Sequence, residues 1–162
     1  MSTRTGIGYD SHRFAAGRPL RLGGITVPHT HGLVGHSDGD VALHAIVDAL
    51  LGAAALGDIG RMFPDTDPQW KNAESLRFVK GTVDALAAGG FAVHQVDVTI
   101  LAERPKLAPH VDQMRAATAR ALGVSMEMVS IKAKTNEGMG WVGRGEGIGA
   151  IAVATVRPTG NG

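Results

Sequence analysis

The stretch His36-Ser37-Asp38-Gly39-Asp40-Val41-Ala42-Leu43-His44-Ala45-Ile46-Val47-Asp48-Ala49-Leu50-Leu51-Gly52 decides the fold class, because a polar turn becomes an amphipathic helix within it. Asp38 is a good N-cap. Leu43, Ile46, Val47, Leu50 and Leu51 then recur at i, i+3, i+4, i+7 and i+8, the apolar stripe of a helix lying on a core. Asp40, His44 and Asp48 form a second stripe at i, i+4 and i+8, so a carboxylate flanks His44 one turn away on each side. Asp48 is the expected partner that orients the imidazole.

Outward from this helix, strands and helices alternate. Gly6 to Tyr9 read as a strand, and Leu20–Leu22 with Ile25–Val27 as a short hairpin turned by Gly23-Gly24. A second helix is predicted over Ala73–Ala88, stopped by Gly89-Gly90, and a third over Pro109–Leu122, closed by Gly123. Val96, Val98 and Ile100 alternate with Asp97 and Thr99 in a strand that ends at the Arg104-Pro105 step; Met128–Lys134 and Ile148–Val156 supply the last strands. The class is α+β, an α/β sandwich with one face of a mixed sheet covered by helices. With no linker and no repeat, one domain over residues 1–162 is expected.

A chain of 162 residues buries roughly 70% of the surface its unfolded form exposes and needs no staples. Aromatics are 4% of residues while Gly and Ala abound, so packing must rely on close backbone approach, with an oligomer interface supplying missing burial. The net charge of +1 and the scattered basic residues argue against nucleic-acid or membrane binding. The absence of cysteine excludes disulfides, thiolate ligands and Cys nucleophiles and suits a reducing compartment. No apolar signal core follows Met1, and the Ala49–Leu56 run is far too short to span a bilayer; a soluble cytoplasmic protein is expected.

The chemistry centres on Asp10, His12 and His44. Asp10 and His12 alternate on a strand and face one side, and His44 joins them from the helix. One oxygen and two nitrogen ligands suit zinc and leave a fourth position for a substrate oxygen or water. The same set describes non-haem iron oxygenases, but those usually hold it in a β-rich barrel, which favours zinc here. His29 and His31, bracketed by Pro28 and Gly32, read as an exposed loop pair, and His94 and His110 have no local partners. Asp58-Ile59-Gly60 and Pro64-Asp65-Thr66-Asp67-Pro68 read as an irregular segment, either turn chemistry or a lid that binds substrate hydroxyls. Gly138, Gly140 and Gly143 match a dinucleotide fingerprint in form only, because strand rather than helix follows; they suit close approach to a phosphate or to a second copy. Glu137, after Lys132-Ala133-Lys134-Thr135-Asn136, is a candidate magnesium ligand.

Gly8-Tyr9-Asp10-Ser11-His12, the run from His36 through His44 and on to Gly57-Asp58-Ile59-Gly60, Phe63-Pro64-Asp65-Thr66-Asp67, Pro105-Lys106 and Gly143-Arg144-Gly145-Glu146-Gly147 resemble the 2-C-methyl-D-erythritol 2,4-cyclodiphosphate synthases over nearly the whole chain. The resemblance implies a lyase of the non-mevalonate isoprenoid route that converts 4-diphosphocytidyl-2-C-methyl-D-erythritol 2-phosphate to the cyclic diphosphate and CMP. It implies a homotrimer with active sites between subunits, Asp10, His12 and His44 as zinc ligands, and Glu137 as ligand to magnesium or manganese. It implies catalytic roles for His36, Asp58, Thr135 and Glu137. His36, Ser37, Asp58, Gly60 and Asp65 fall in the phosphate and methylerythritol pocket, with Asp10 and His12 beside them. Ala102, Pro105, Lys106, Leu107, Ala133 and Thr135 fall in the cytidine pocket across the interface.

Trp141 and Arg144 match substrate-binding positions in a segment associated in relatives with an axial cavity for an isoprenoid diphosphate. Two residues depart from the family pattern. Lys134 stands where threonine is common, and Trp141 where phenylalanine is common; interface packing is the favoured role for the latter. The competing readings are a metal-dependent phosphoesterase and a non-catalytic trimeric nucleotide-binding module.

Overall fold

Gly6 and Gly8 alternate with Ile7 and Tyr9, while Ala45, Ala49 and Ala53 repeat every fourth residue. In the computed structural model, which describes residues 2–160, these two stripes of small residues are pressed together. A β-carbon on Gly8 would stand 1.9 Å from the Ala45 carbonyl oxygen, and one on Gly6 2.2 Å from that of Ala49. Only glycine admits a helix backbone this close to a strand. Small residues thus build the contact between β1 (Arg4–Ala16) and α1 (Val41–Ala53).

Around that contact the chain adds β2 (Leu20–Leu22), β3 (Ile25–Val27), β4 (His31–Leu33), α2 (Ile59–Met62), α3 (Ser75–Ala88), β5 (Phe91–Leu101), α4 (Val111–Leu122), β6 (Val129–Lys134), α5 (Gly140–Gly143) and β7 (Gly147–Pro158). The main sheet runs β4-β1-β7-β5-β6, and β2 with β3 form the separate hairpin. β1 pairs with β7 antiparallel from Arg4 opposite Val156 to Arg13 opposite Gly147, whereas β5 and β6 are parallel, so the sheet is mixed as expected. One face carries Val96, Val98, Ile100, Ile148, Ala150, Ala152 and Ala154, all buried beneath the helices. Each Leu or Ile of the α1 stripe is buried to within 1% and contributes about 1.5–3 kcal/mol of transfer free energy. The other face presents Ile7, Tyr9, Ile151 and Val153, which are 37–71% exposed.

Several boundaries move. The N-cap of α1 is Asp40, not Asp38: Asp40 Oδ1 accepts the Leu43 amide at 3.1 Å, and its two oxygens also take the Gly23 and Gly24 amides at 2.9 and 2.8 Å. Asp38 is drawn instead to Ser75, whose amide it accepts at 3.0 Å at the start of α3. A 3-10 turn at Ala108–His110 precedes α4, which ends as expected on Gly123 in the left-handed conformation. The segment expected to be irregular holds α2 and a 3-10 turn at Pro68–Trp70. His31 is not in a loop but opens β4, opposite Ala16. A single helical turn, α5, lies between Gly138 and β7; a β-carbon on Gly143 would stand 2.0 Å from the Gly138 carbonyl carbon, so these glycines serve the loop's packing on itself. No helix among the described residues is long and apolar enough to cross a membrane.

Candidate metal centre and active site

Strand alternation turns Asp10 and His12 to the helix side of β1, two and four residues beyond Gly8, where α1 lies closest. His44 precedes Ala45 in that contact, so the glycine–alanine packing brings all three side chains to one point. Asp10 Oδ2 lies 2.9 Å from His12 Nε2 and 3.0 Å from His44 Nδ1, and the two nitrogens are 3.1 Å apart. The three form a potential metal site. Burial raises the Asp10 carboxyl, but hydrogen bonds and charge from His12 and His44 outweigh it and hold Asp10 well below the usual range. Burial pulls His12 down, and Asp10, aided by the Val34 backbone, lifts it above the ordinary imidazole value.

The expected orienting role of Asp48 is not what the structure holds. Its Oδ1 accepts the Ile59 amide at 2.8 Å and anchors the start of α2, and burial raises its carboxyl despite that bond. His44 Nε2 meets Ser75 Oγ at 2.8 Å and Ser37 Oγ at 3.0 Å instead. Position i+4 on a helix is close to His44 in sequence, but the ring points toward the start of α3. Ser75 carried no local signal, since it reads as one more polar residue at a helix start.

A cavity of about 320 Å³ opens beside the triad, lined by His36, Ser37, Gly60 and Asp65, all expected there, and by Ile59, Phe63, Trp70 and Phe78. Asp58, also expected there, is not among the lining residues; it is the N-cap of α2 beside Ile59 and accepts the Arg61 amide at 2.8 Å. The aromatic wall was not expected: Phe63 and Trp70 rings lie 5.0 Å apart and Phe78 packs on both and on His44. The 4% of aromatic residues is too sparse to read by period, yet three of them converge here.

A second cavity of about 350 Å³ gathers Ala102, Pro105, Lys106, Leu107, Ala133, Lys134 and Thr135, because the Ala102 amide bonds the Lys134 carbonyl at 2.9 Å and ties the loop after β5 to the end of β6. Glu103, which sequence reading passed over, braces the neighbouring loop by accepting the Asn136 and Gly138 amides at 3.0 Å each. That loop presents Glu137 at φ 53°, in the left-handed region uncommon for a non-glycine residue. Glu137 is exposed and does not join the triad within one chain. Trp141 borders a third recess with Ser11, Arg13 and Glu146, and its ring edge would meet a β-carbon on Gly149 at 3.2 Å. Arg144 pairs with Glu146 at 2.8 Å and borders a recess with His29 and His31.

The model of the YgbB family matches residues 3–157. The chain belongs to the YgbB family. Within the family it is 57% identical over 154 residues to the 2-C-methyl-D-erythritol 2,4-cyclodiphosphate synthase of Salinibacter ruber, covering 95% of this chain and 98% of that one. It is 56% identical over 156 residues to the synthase of Burkholderia thailandensis, with 96% of each chain covered. The bifunctional IspDF of Campylobacter jejuni superposes with a TM-score of 0.93 at 39% identity, over 97% of this chain and 42% of that longer one. A 2C-methyl-D-erythritol-2,4-cyclodiphosphate synthase in a CDP-bound form superposes with a TM-score of 0.88 at 38% identity, over 95% and 100% of the two chains.

Proposed function

We propose that this family member is a cyclodiphosphate synthase that converts 4-diphosphocytidyl-2-C-methyl-D-erythritol 2-phosphate to 2-C-methyl-D-erythritol 2,4-cyclodiphosphate and CMP. The observation that carries the reading is the Asp10–His12–His44 triangle on the wall of a cavity that also presents His36, Ser37 and Asp65. Its edges of 2.9–3.1 Å fit one small ion, since tetrahedral zinc with bonds near 2.0–2.1 Å sets neighbouring ligand atoms about 3.3 Å apart. Glu137, exposed on its braced loop, would hold magnesium or manganese. When bound, the two ions neutralise charge on the phosphate oxygens.

The 2-phosphate is already anionic, so its attack on the β-phosphorus with loss of CMP needs no protein nucleophile, and catalysis is positioning and charge stabilisation. His36, Ser37, Asp58, Gly60 and Asp65 hold the methylerythritol phosphate end, against the wall of Phe63, Trp70 and Phe78 that excludes water. Ala102, Pro105, Lys106, Leu107 and Ala133 receive the cytidine, and Thr135 with Glu137 meets its phosphates. His36, Ser37, Gly60 and Asp65 line one cavity of the chain, and Ala102, Pro105, Lys106, Leu107, Ala133 and Thr135 line another. They complete one site when a second copy supplies the nucleotide half. The uncovered face of Ile7, Tyr9, Ile151 and Val153 supports a homotrimer built through the sheet, with Trp141 on that side against Ser11 and Gly149. Phosphorus NMR of the protein with the substrate and magnesium, with and without chelator, tests the reading. CMP together with a cyclic diphosphate, dependent on metal, is expected; CMP with a linear product would make it a phosphoesterase, and unchanged substrate a binding module.

A further inference from the structure

His44 divides its two ring nitrogens between two environments. Nδ1 faces Asp10 Oδ2 and His12 Nε2, so Nε2 points to the opposite side, where Ser75 Oγ lies at 2.8 Å and Ser37 Oγ at 3.0 Å. All three residues are buried, Ser75 completely. An imidazole that binds an ion through Nδ1 carries its one ring proton on Nε2, so a single donor faces two hydroxyl oxygens. Proton accounting separates them.

Ser75 Oγ is in very close contact with Asp38 Oδ1, and an ionised carboxylate only accepts, so the Ser75 proton goes to Asp38. The lone pairs of Ser75 Oγ are then free for the His44 Nε2 proton. Asp38 is itself fixed: Oδ2 accepts the Ser75 amide at 3.0 Å, Oδ1 accepts the Asp40 amide at 3.1 Å, and its own amide bonds the Ala73 carbonyl at 3.1 Å. Its charge sits at the start of α3, where the helix dipole favours an anion. Ser37 Oγ accepts the Gly39 amide at 3.4 Å, lies 3.5 Å from Ser75 Oγ, at the outer limit of a hydrogen bond, and faces no carboxylate; Ser37 lines the cavity beside the triad.

We propose that Ser75 is a positioning residue that relays Asp38 to His44, locking the tautomer and ring angle that aim Nδ1 at the metal, while the Ser37 hydroxyl is left to donate to a ligand oxygen in the cavity. The proposal rests on the reading of the triad as a zinc centre. Partners of this kind set metal affinity as well as orientation, and their loss typically costs about 10- to 100-fold in affinity.

The test is zinc affinity by chelator competition on purified wild type, Ser75→Ala, Ser75→Thr and Ser37→Ala, read beside nitrogen-15 NMR of the His44 ring in the zinc-loaded wild type. Ser75→Ala should bind zinc about 10- to 100-fold more weakly, and Ser75→Thr should restore most of the loss. Ser37→Ala should keep its zinc and lose affinity for the substrate. In the wild type, the Nε2 proton should be visible and protected from solvent exchange, a readout that needs no variant to fold. Undiminished zinc affinity in Ser75→Ala, a loss in Ser37→Ala instead, or a freely exchanging Nε2 proton would each overturn the relay. A wild type that binds no zinc would overturn the relay and the centre together.

Discussion

Replacing Gly8 with alanine should take apart the metal centre without touching a ligand. The added β-carbon would lie 1.9 Å from the Ala45 carbonyl oxygen and 2.8 Å from the Ala49 amide nitrogen, both backbone atoms that cannot rotate away. Carbon and oxygen in contact need about 3.3 Å, so β1 and α1 must part by roughly 1.4 Å. Asp10 is two residues from Gly8 and His44 is next to Ala45, so the separation passes almost undiminished into the triad. Metal sites tolerate only about 0.2 Å in ligand distance, several-fold less than this shift.

Overpacking of this kind costs about 1–3 kcal/mol. At about 2–4 °C per kcal/mol for a chain of this size, the melting temperature should fall by about 2–12 °C at matched protein concentration. Thermal unfolding followed by circular dichroism, with zinc stoichiometry on the same sample, makes the measurement. Gly52→Ala is the control: it lies on the same helix with nothing within 4 Å of a β-carbon, and should be neutral or stabilise by up to about 1 kcal/mol. A Gly8→Ala protein that melts with the wild type and keeps full zinc would refute the claim that this close approach builds the site.

His44→Ala should fold, lose most bound zinc and nearly all turnover; retained zinc stoichiometry would sink the ligand assignment. Zinc affinity should fall on acidification, because the proton that Asp10 helps to hold on His12 competes with the ion. His12 titrates above the ordinary imidazole value, so the loss should begin as pH falls through that raised value and steepen toward about tenfold per pH unit for each proton displaced; a flat profile across that range contradicts the pairing. Lys134 has no carboxylate partner among the described residues and shares a cavity with Lys106, so Lys134→Thr should raise KM for the nucleotide substrate about two- to fivefold and weaken its salt dependence with kcat unchanged. An unaltered KM at low salt would assign Lys134 to solvent.

Local pattern carried much of this molecule. The apolar stripe of α1, the Gly23-Gly24 hairpin, the alternation in β5 and the Gly123 stop all follow from the few residues around them, and each is where its period or turn chemistry puts it. The strand period of two puts Asp10 and His12 on one side, and the residue types mark His44 as their companion, but it is the packing of α1 on Gly6 and Gly8 that brings the three together. Short elements escaped. α2 and β4 are too brief for any period, and form because Asp48 and Asp58 cap one and Phe14–Ala16 pair with the other.

The groups around the ligands were decided by tertiary structure. What serves the far side of His44 depends on where its ring points, and a ring buried against the start of α3 meets Ser75, itself bonded to Asp38, rather than Asp48, its near neighbour in sequence. The aromatic wall likewise joins residues from three separate segments. Hydrogen-bond partners and packed rings are chosen by distances of a few ångströms between different elements, whether successive, as in the aromatic wall, or distant in the chain, as for His44 and Ser75. Periodicity fixes the direction in which each element faces, but only packing fixes what it finds there.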